Sequence, residues 1–239
     1  MNLFAPPRYF NPDQPEWIDR PCMDPVLVRE ELQMLENANA RFGEHQLMLR
    51  RVQGLLRSRK VSSLEILDLA TGGADIPRAI VDWARKDQLP VTVTAVDSNP
   101  EVIRIARESC RDWPEIRIVQ HDVQDLPFPP NSFDLVLCSL ALHHFTRADV
   151  PAILRRMQEI ARVGYIVSDL RRNWLAIWTT ELWVRTMVKS PIIRNDAPQS
   201  CRAAFTVHEF RAMAEQAGLR NFNIHRCQLF FRMFLEGTK

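Results

Sequence analysis

The run LDLATGGAD, residues 67–75, places small side chains between an apolar segment and a predicted helix. In an open parallel sheet, the first turn from strand to helix binds ligands through backbone N–H groups when its side chains are small. Pro77 fits the start of the following helix, since the first helical turn tolerates a missing N–H. We therefore expect a nucleotide-binding turn, with contacts from Asp68, Ala70, Thr71, Gly72 and Gly73.

A carboxylate follows the next predicted strand. Asp97 lies 25 residues after Gly72, and this spacing suits an acid that accepts hydrogen bonds from both hydroxyls of a ribose. We expect the adjacent Ser98 to contact the same ligand. Turn and acid alone do not choose among nicotinamide, flavin and S-adenosylmethionine, and a tight turn beside a solvated aspartate is the structural alternative.

Two further strand ends favour an adenosine ligand. The segment HDVQDLPF places Asp122 where it can accept from an adenine amino group, and Val123 where its backbone N–H can reach the ring. The segment LPFPPNSFDLVLCSLALHHF brings Ser139 and Leu140 to the same ligand face. Ligands of open parallel sheets gather beyond the carboxyl ends of the strands, so these four residues are predicted at one site.

The elements that position these residues alternate along the chain. Apolar strand-like runs and helical segments follow one another from Val61 to about Asn173, which predicts a parallel sheet with helices on both faces. Two final strands, NFNIHRC and LFFRMFL, are joined by so short a connection that they must run antiparallel. We predict an α/β fold whose seven-stranded, Rossmann-like sheet is mostly parallel with an antiparallel last strand.

The chain divides into two predicted regions. Residues 1–62 form an aromatic-bearing arm, which starts near Phe4, and a helical N-terminal lid. Residues 63–239 form the main domain, with a helical insertion at about 174–205. Within that insertion we predict a helix that ends at about Lys189 and then a polar connection.

Residues 66–169 resemble the class I S-adenosylmethionine-dependent methyltransferases. The first motif of that family is an acid, one further residue and then G-x-G-x-G. Asp68 supplies the acid here, and Ala70, Gly72 and Ala74 stand at the three glycine places. Because alanine does not readily take a positive φ, we expect right-handed or extended backbone at both alanines.

Within that family the chain is similar to small bacterial methyltransferases of ubiquinone and menaquinone synthesis, and more closely to relatives thought to modify polyketide or phenolic products. The likeness lies in the stretches EWIDRP, NARFG, GADIPRAI, LPFPPNSFDLVLCSLALHHF, SDLRRN and RNDAPQSCRAAFTVHEF. It implies S-adenosyl-L-methionine as cofactor and O-methylation of a small aromatic or lipophilic acceptor, a phenol or a polyketide-type hydroxyl. Methyl transfer to carbon or nitrogen of a small molecule is the alternative.

Methylation of a hydroxyl needs a base, and His143 and His144 follow the fourth strand where that base is wanted. The HHF segment resembles the corresponding step in plant-type phenolic O-methyltransferases, in which the histidine is the base, and this likeness favours His143. Asp169, at the end of the fifth strand, could orient that histidine or bind substrate. Packing of the ring against backbone or cofactor is the structural alternative.

Four residues outside the sheet are expected near the ligands. Trp174 and Trp178 are four apart and share a helix face, so they could wall an acceptor pocket, although a buried core or a homodimer contact is more typical of such a stripe. Arg41 and His45 are also four apart and could reach the carboxylate of the cofactor. Exposure to solvent is the alternative for Arg41 and His45.

Composition and charge exclude several partners. The formal net charge of +2 is too small for a nucleic-acid footprint. An NPPY-like tetrad, which enzymes that methylate the amino groups of bases or glutamine use, is absent because CSLA stands in its place. We therefore expect a small-molecule acceptor and no nucleic acid.

The five cysteines are scattered without a CxxC pair, so we expect no disulfide framework, no metal site and a reducing, cytoplasmic setting. Neither a signal peptide nor a membrane-spanning apolar run is recognisable, and we expect no integral membrane contact. Two rival classes remain. An NAD-dependent oxidoreductase would have no use for Asp122, and a non-catalytic cofactor-binding partner protein would need no base.

Overall fold

The computed structural model describes residues 5–20, 22–57, 59, 61–227 and 231–239. Phe4 of the predicted arm lies outside the described residues. So do Leu229 and Phe230, which belong to the connection and the start of the last predicted strand. The division into an N-terminal region and a main domain stays a prediction.

The sheet has seven strands in the order β3-β2-β1-β4-β5-β7-β6. Neighbouring strands from β3 to β5 pair in parallel, whereas β7 runs antiparallel to both β5 and β6. This confirms the predicted mostly parallel, Rossmann-like sheet. The strands are β1 Leu64–Leu69, β2 Val91–Asp97, β3 Ile116–Gln120, β4 Phe133–Ser139, β5 Ala161–Leu170, β6 Phe222–Cys227 and β7 Arg232–Thr238.

Helices cover the sheet on both sides. Among the described residues the α-helices are α1 Pro25–Arg41, α2 Glu44–Leu56, α3 Asp75–Lys86, α4 Pro100–Ser109, α5 Val150–Ile160, α6 Trp174–Thr186, α7 Pro191–Ala203 and α8 Val207–Gln216. None of them combines the length and the apolar character that crossing a membrane requires.

Alternate residues of β1 point to two separate apolar cores. Leu67 and Leu69 pack in a core with buried residues of α5 and α8. Leu64 and Ile66 pack in a second core with α2 and α3. A strand buried on both faces is mostly apolar, which explains why four of the six residues of β1 are leucine or isoleucine.

The helical insertion differs from the prediction in its second half. The first helix ends at Thr186, close to the predicted end at about Lys189. The predicted polar connection is wrong, because residues 191–203 form α7, which begins at Pro191 and contains Pro198. A proline suits the first position of a helix. The buried Ile192 and Ile193 supply an apolar face, which the prediction of a polar connection did not take into account.

Candidate functional site

The turn between β1 and α3 has three residues in the left-handed region. φ is +51° at Ala70, +56° at Gly72 and +58° at Ala74. The expectation of right-handed or extended backbone at the two alanines is therefore wrong. Two hydrogen bonds impose the turn, from Thr71 N to Val96 O at 2.9 Å and from Ala74 N to Thr71 O at 3.0 Å.

Asp97 ties the end of β2 to this turn. Its Oδ2 accepts from the backbone nitrogen of Gly72 at 3.0 Å, and its Oδ1 accepts from that of Asn99 at 3.1 Å. Burial raises the pKa of the Asp97 carboxyl. Turn and acid thus lie together, as the sequence spacing implies, and the exposed Ser98 lies beside them.

Two buried polar oxygens at neighbouring strand ends have no hydrogen-bond partner among the described residues. They are Oδ1 of Asp68, at the end of β1, and Oγ of Ser139, at the end of β4. The other carboxylate oxygen of Asp68 accepts from Oγ1 of Thr71 at 2.6 Å, and burial raises the pKa of Asp68 to about 7. Buried polar groups are nearly always hydrogen-bonded, so these oxygens fit contact with a polar ligand.

The remaining predicted cofactor contacts lie along the same edge. Asp122 is exposed, and its Oδ1 accepts from the backbone nitrogen of Gln124 at 2.8 Å. Val123 is buried beside it. Leu140, with φ of +53°, donates its N–H to Ser168 O at 2.7 Å, which bends the chain away from the end of β4.

His143 and Asp169 form a buried pair. Oδ1 of Asp169 lies 2.6 Å from Nδ1 of His143, and Oδ2 accepts from the backbone nitrogen of the same histidine at 3.0 Å. The imidazole is only 3% exposed. His143 belongs to a 3-10 turn, Leu142–His144, that follows β4, and Asp169 belongs to the adjacent β5.

His144 is held in a similar way by the N-terminal arm. Its Nδ1 lies 2.6 Å from Oδ2 of Asp19. Burial lowers the pKa of His144, but the carboxylates of Glu16 and Asp19 outweigh that effect and raise it to about 10. Glu16 is itself buried, and its Oε1 accepts from Oγ of Ser200 at 2.8 Å.

A cavity of about 240 Å³ adjoins the two histidines. Its wall combines the histidine edge with rings and carboxylates from the arm. It is lined by Tyr9, Phe10, Asn11, Pro12, Pro15, Glu16, Asp19, Gln124, His143, His144, Phe145, Thr146, Asp149, Gln199 and Ala203.

Contacts that could not be assigned from the residue pattern hold the arm over this cavity. Arg8 donates to the carbonyl oxygens of His143 at 3.0 Å and of Phe145 at 2.8 Å. Asp196 of α7 accepts from the backbone nitrogens of Trp17 at 2.8 Å and Ile18 at 3.0 Å. The only sequence signal was that the stretches EWIDRP and RNDAPQSCRAAF carry part of the family likeness, with no role for any one residue.

The four predicted residues outside the sheet lie apart from the cavity. Trp174 and Trp178 are 59% and 62% exposed, so they are not part of a core, and a homodimer contact on this face of α6 stays a prediction. Arg41 is exposed at the end of α1. Nε2 of His45 lies 2.8 Å from Oδ2 of Asp75, in the first turn of α3.

Comparison with known proteins identifies the central part of the chain. Residues 66–164, from β1 into β5, match the family model described as a methyltransferase domain. These residues form a methyltransferase domain, in support of the class I assignment. This confirms the resemblance drawn from the sequence, and S-adenosylmethionine is the cofactor of such a domain.

Individual relatives are similar to this chain over part of their length. An uncharacterised methyltransferase of Synechocystis is 35% identical over 46% of this chain and 50% of its own length. A ubiquinone/menaquinone biosynthesis C-methyltransferase of Idiomarina loihiensis is 28% identical, over 52% and 47%. A malonyl-[acyl-carrier protein] O-methyltransferase of Halorhodospira halophila is 30% identical, over 63% and 48%. The chain thus spans about half the length of these relatives.

A solved structure extends the likeness in fold to most of the chain. The crystal structure of a SAM-dependent methyltransferase from Aquifex aeolicus superposes with a TM-score of 0.62 at 14% identity. The match covers 90% of this chain and 98% of that one. At this identity the likeness shows the fold alone.

Proposed function

We propose that this protein is an S-adenosylmethionine-dependent O-methyltransferase whose acceptor is a small aromatic or lipophilic molecule with a phenol or polyketide-type hydroxyl. The observation that carries the proposal is the His143–Asp169 pair at the wall of the cavity. A carboxylate accepts hydrogen bonds, so Asp169 keeps the proton of His143 on Nδ1. Nε2 then keeps a lone pair that can take the proton of a hydroxyl.

The residues at the strand ends fit the cofactor. A carboxylate oxygen can accept more than one hydrogen bond, so Asp97 can receive ribose hydroxyls while it holds Gly72 and Asn99. The buried, unpartnered oxygens of Asp68 and Ser139 offer further polar contacts. When bound, S-adenosylmethionine supplies an activated methyl group.

The cavity supports an aromatic acceptor with a hydroxyl at one end. Tyr9, Phe10 and Phe145 give it apolar walls, and the histidines provide its basic edge. Apolar walls with a few converging polar groups are typical of small-molecule sites. Arg8 and Asp196 hold the arm in place, so the arm also shields the basic edge from water.

Methyl transfer to carbon or nitrogen remains the alternative within this class, since the relatives include both a carbon and an oxygen methyltransferase. Carbon methylation of an ionised phenol uses the same first deprotonation, but the methyl group then bonds to a ring carbon, which afterwards loses its own proton. An NAD-dependent oxidoreductase and a non-catalytic cofactor-binding protein are the alternatives from other classes.

The experiment that tests the proposal is transfer of a radiolabelled methyl group from S-adenosylmethionine to a panel of phenols and polyketide hydroxyls, with product analysis by mass spectrometry. We expect an O-methyl product, and a rate that falls about 10²-fold or more in His143→Ala. His208→Ala, which changes an exposed histidine of α8, is the matched control and should keep the rate. A product methylated on carbon contradicts the oxygen assignment, and tight NADH binding without S-adenosylhomocysteine binding contradicts the whole proposal.

A further inference from the structure

Three possible ligand groups for a cation converge at the wall of the cavity. Nε2 of His143 lies 3.9 Å from Oε1 of Glu16, and Nε2 of His144 lies 3.9 Å from Oε2 of the same carboxylate. One ligand atom from each of the three residues lies within 4.8 Å of the others. Both separations are too long for hydrogen bonds, although they are ion-pair distances when a histidine carries a proton.

The outer partners of the two imidazoles explain which atoms face Glu16. Asp169 and Asp19 each lie 2.6 Å from an Nδ1 atom, of His143 and His144 respectively. With Nδ1–H donated to a carboxylate, a neutral ring keeps its lone pair on Nε2, the nitrogen that lies 3.9 Å from Glu16 in both histidines. Metal-binding histidines are characteristically oriented in this way, by a carboxylate on the nitrogen that does not bind the ion.

We propose that Glu16, His143 and His144 bind one divalent transition-metal ion, for which Zn²⁺ is the best match. Two imidazoles and one carboxylate form a ligand set typical of catalytic zinc sites, which keep a position open for water or substrate. Zinc bonds of about 2.0–2.2 Å require the three ligand atoms, now within 4.8 Å of one another, to draw closer together. Imidazole nitrogens favour zinc over the oxygen-seeking Mg²⁺. The proposal departs from the expectation, based on the cysteines, that the chain has no metal site.

The position of the ligands suggests what the ion would do. All three residues line the cavity, so an ion held by them would be accessible to an acceptor there, and this step rests on the proposed function. A hydroxyl bound to zinc loses its proton near neutral pH. The O–H bond breaks, the proton leaves to water, and the electron pair stays on the oxygen that attacks the methyl group. His143 then holds the ion instead of taking the proton itself.

The three ligands come together only when the arm is docked against the sheet. Glu16 belongs to the arm, whereas the two histidines follow β4. Ser200 of α7 positions Glu16 through the 2.8 Å hydrogen bond to Oε1. An ion shared by these elements would fasten the arm to the sheet, in addition to assisting the reaction.

Calorimetric titration of the chelator-treated full chain with ZnCl₂ tests the binding. We expect one zinc ion per chain and no heat from MgCl₂. Glu16→Gln and His144→Asn should each weaken binding at least tenfold, while His225→Ala, an exposed histidine on β6, should bind zinc as the unaltered protein does. The alternative is that a proton on His144 neutralises Glu16. The absence of stoichiometric zinc binding, or unchanged affinity in both cluster variants, would support that alternative and overturn the zinc site.

Activity is measured separately, so that the two proposals can fail independently. Methyl transfer to a phenol is assayed before chelation, after it and after addition of ZnCl₂, with an expected loss of at least tenfold and recovery on zinc addition. Full activity of the zinc-free protein would overturn the role of the ion and leave His143 as the base. Zinc binding without methyl transfer to any acceptor would overturn the proposed function but not the metal site.

Discussion

Asp169 holds His143 through both oxygens of its carboxylate, one 2.6 Å from Nδ1 and the other 3.0 Å from the backbone nitrogen. The two contacts fix the ring and the turn that carries it as one unit. Because Asp169 lies on β5, directly beside β4, the sheet itself sets the geometry of the basic edge of the cavity. The pair also serves either role of His143, as a base or as a metal ligand.

Asp169→Asn should lower the turnover number by about 10²-fold or more, because the amide cannot accept at both positions and no longer enforces the proton on Nδ1. The affinity for S-adenosylhomocysteine should stay close to that of the unaltered protein, since Asp169 pairs with the histidine turn. Steady-state kinetics and calorimetry on the same preparation check both expectations.

Asp134→Asn is the control for that variant. Asp134 also accepts from a backbone nitrogen, that of Glu65 at 2.8 Å, but at the opposite end of β4. The Asp134→Asn variant should leave the turnover number unchanged. Equal losses in both variants would mean that the effect of Asp169 is on stability and not on the reaction.

The sheet and its ligand edge could be predicted because their signals are local. Apolar runs, small residues in one turn and an acid after the next strand lie within short segments, and parallel strands bring their carboxyl ends together by geometry alone. The arm gave no such signal. The contact from Arg8 to Phe145 spans 137 residues, and the one from Asp196 to Trp17 spans 179.

The prediction for the first turn was wrong because it relied on the backbone preference of alanine alone. Alanine at 70 and 74 argued against a positive φ, yet both residues adopt one. Hydrogen bonds between the turn and the end of β2, together with those inside the turn, outweigh a cost of about 1–2 kcal/mol per residue. Tertiary contacts of this kind cannot be read from the residue types.

Ala70→Gly should therefore stabilise the protein. Glycine removes the left-handed penalty but gives the unfolded chain more freedom, so the expected gain in unfolding free energy is about 1 kcal/mol. For a chain of this size the melting temperature should rise by about 2–4 °C. Ala79→Gly, in the middle of α3, should instead lose about 1 kcal/mol. A loss in both variants would contradict the strain at Ala70.

Asp97→Ala should weaken binding of S-adenosylhomocysteine by about 10-fold to 100-fold, because a charged acceptor of hydrogen bonds is worth about 1.5–3 kcal/mol. The change also frees the N–H groups of Gly72 and Asn99, so part of the loss comes from a less ordered turn. Calorimetric titration measures the affinity. Asp87→Ala, an exposed aspartate after α3, should bind as tightly as the unaltered protein, and equal affinity in Asp97→Ala would remove that residue from the site.

Glu31 on α1 should make stability depend on pH. It is 5% exposed, and its Oε2 is buried without a hydrogen-bond partner among the described residues. Burial, followed by the carboxylates of Asp196, Glu16 and Asp19, raises the pKa of Glu31 to about 9. A folded-state pKa above the unfolded one favours folding below the unfolded pKa, near pH 4.5, and this contribution is lost as the pH rises towards 9.

Glu31→Gln mimics the protonated carboxyl and removes this dependence. Chemical unfolding at a series of pH values should show equal stability of variant and unaltered protein near pH 4. At higher pH, the unfolding free energy of the variant should exceed that of the unaltered protein by up to about 1.4 kcal/mol more for each pH unit, because one proton is linked to folding. Glu30→Gln, the exposed neighbour on α1, should follow the unaltered protein throughout. A constant difference between Glu31→Gln and the unaltered protein from pH 5 to pH 9 would mean that folding does not raise the pKa of the Glu31 carboxyl.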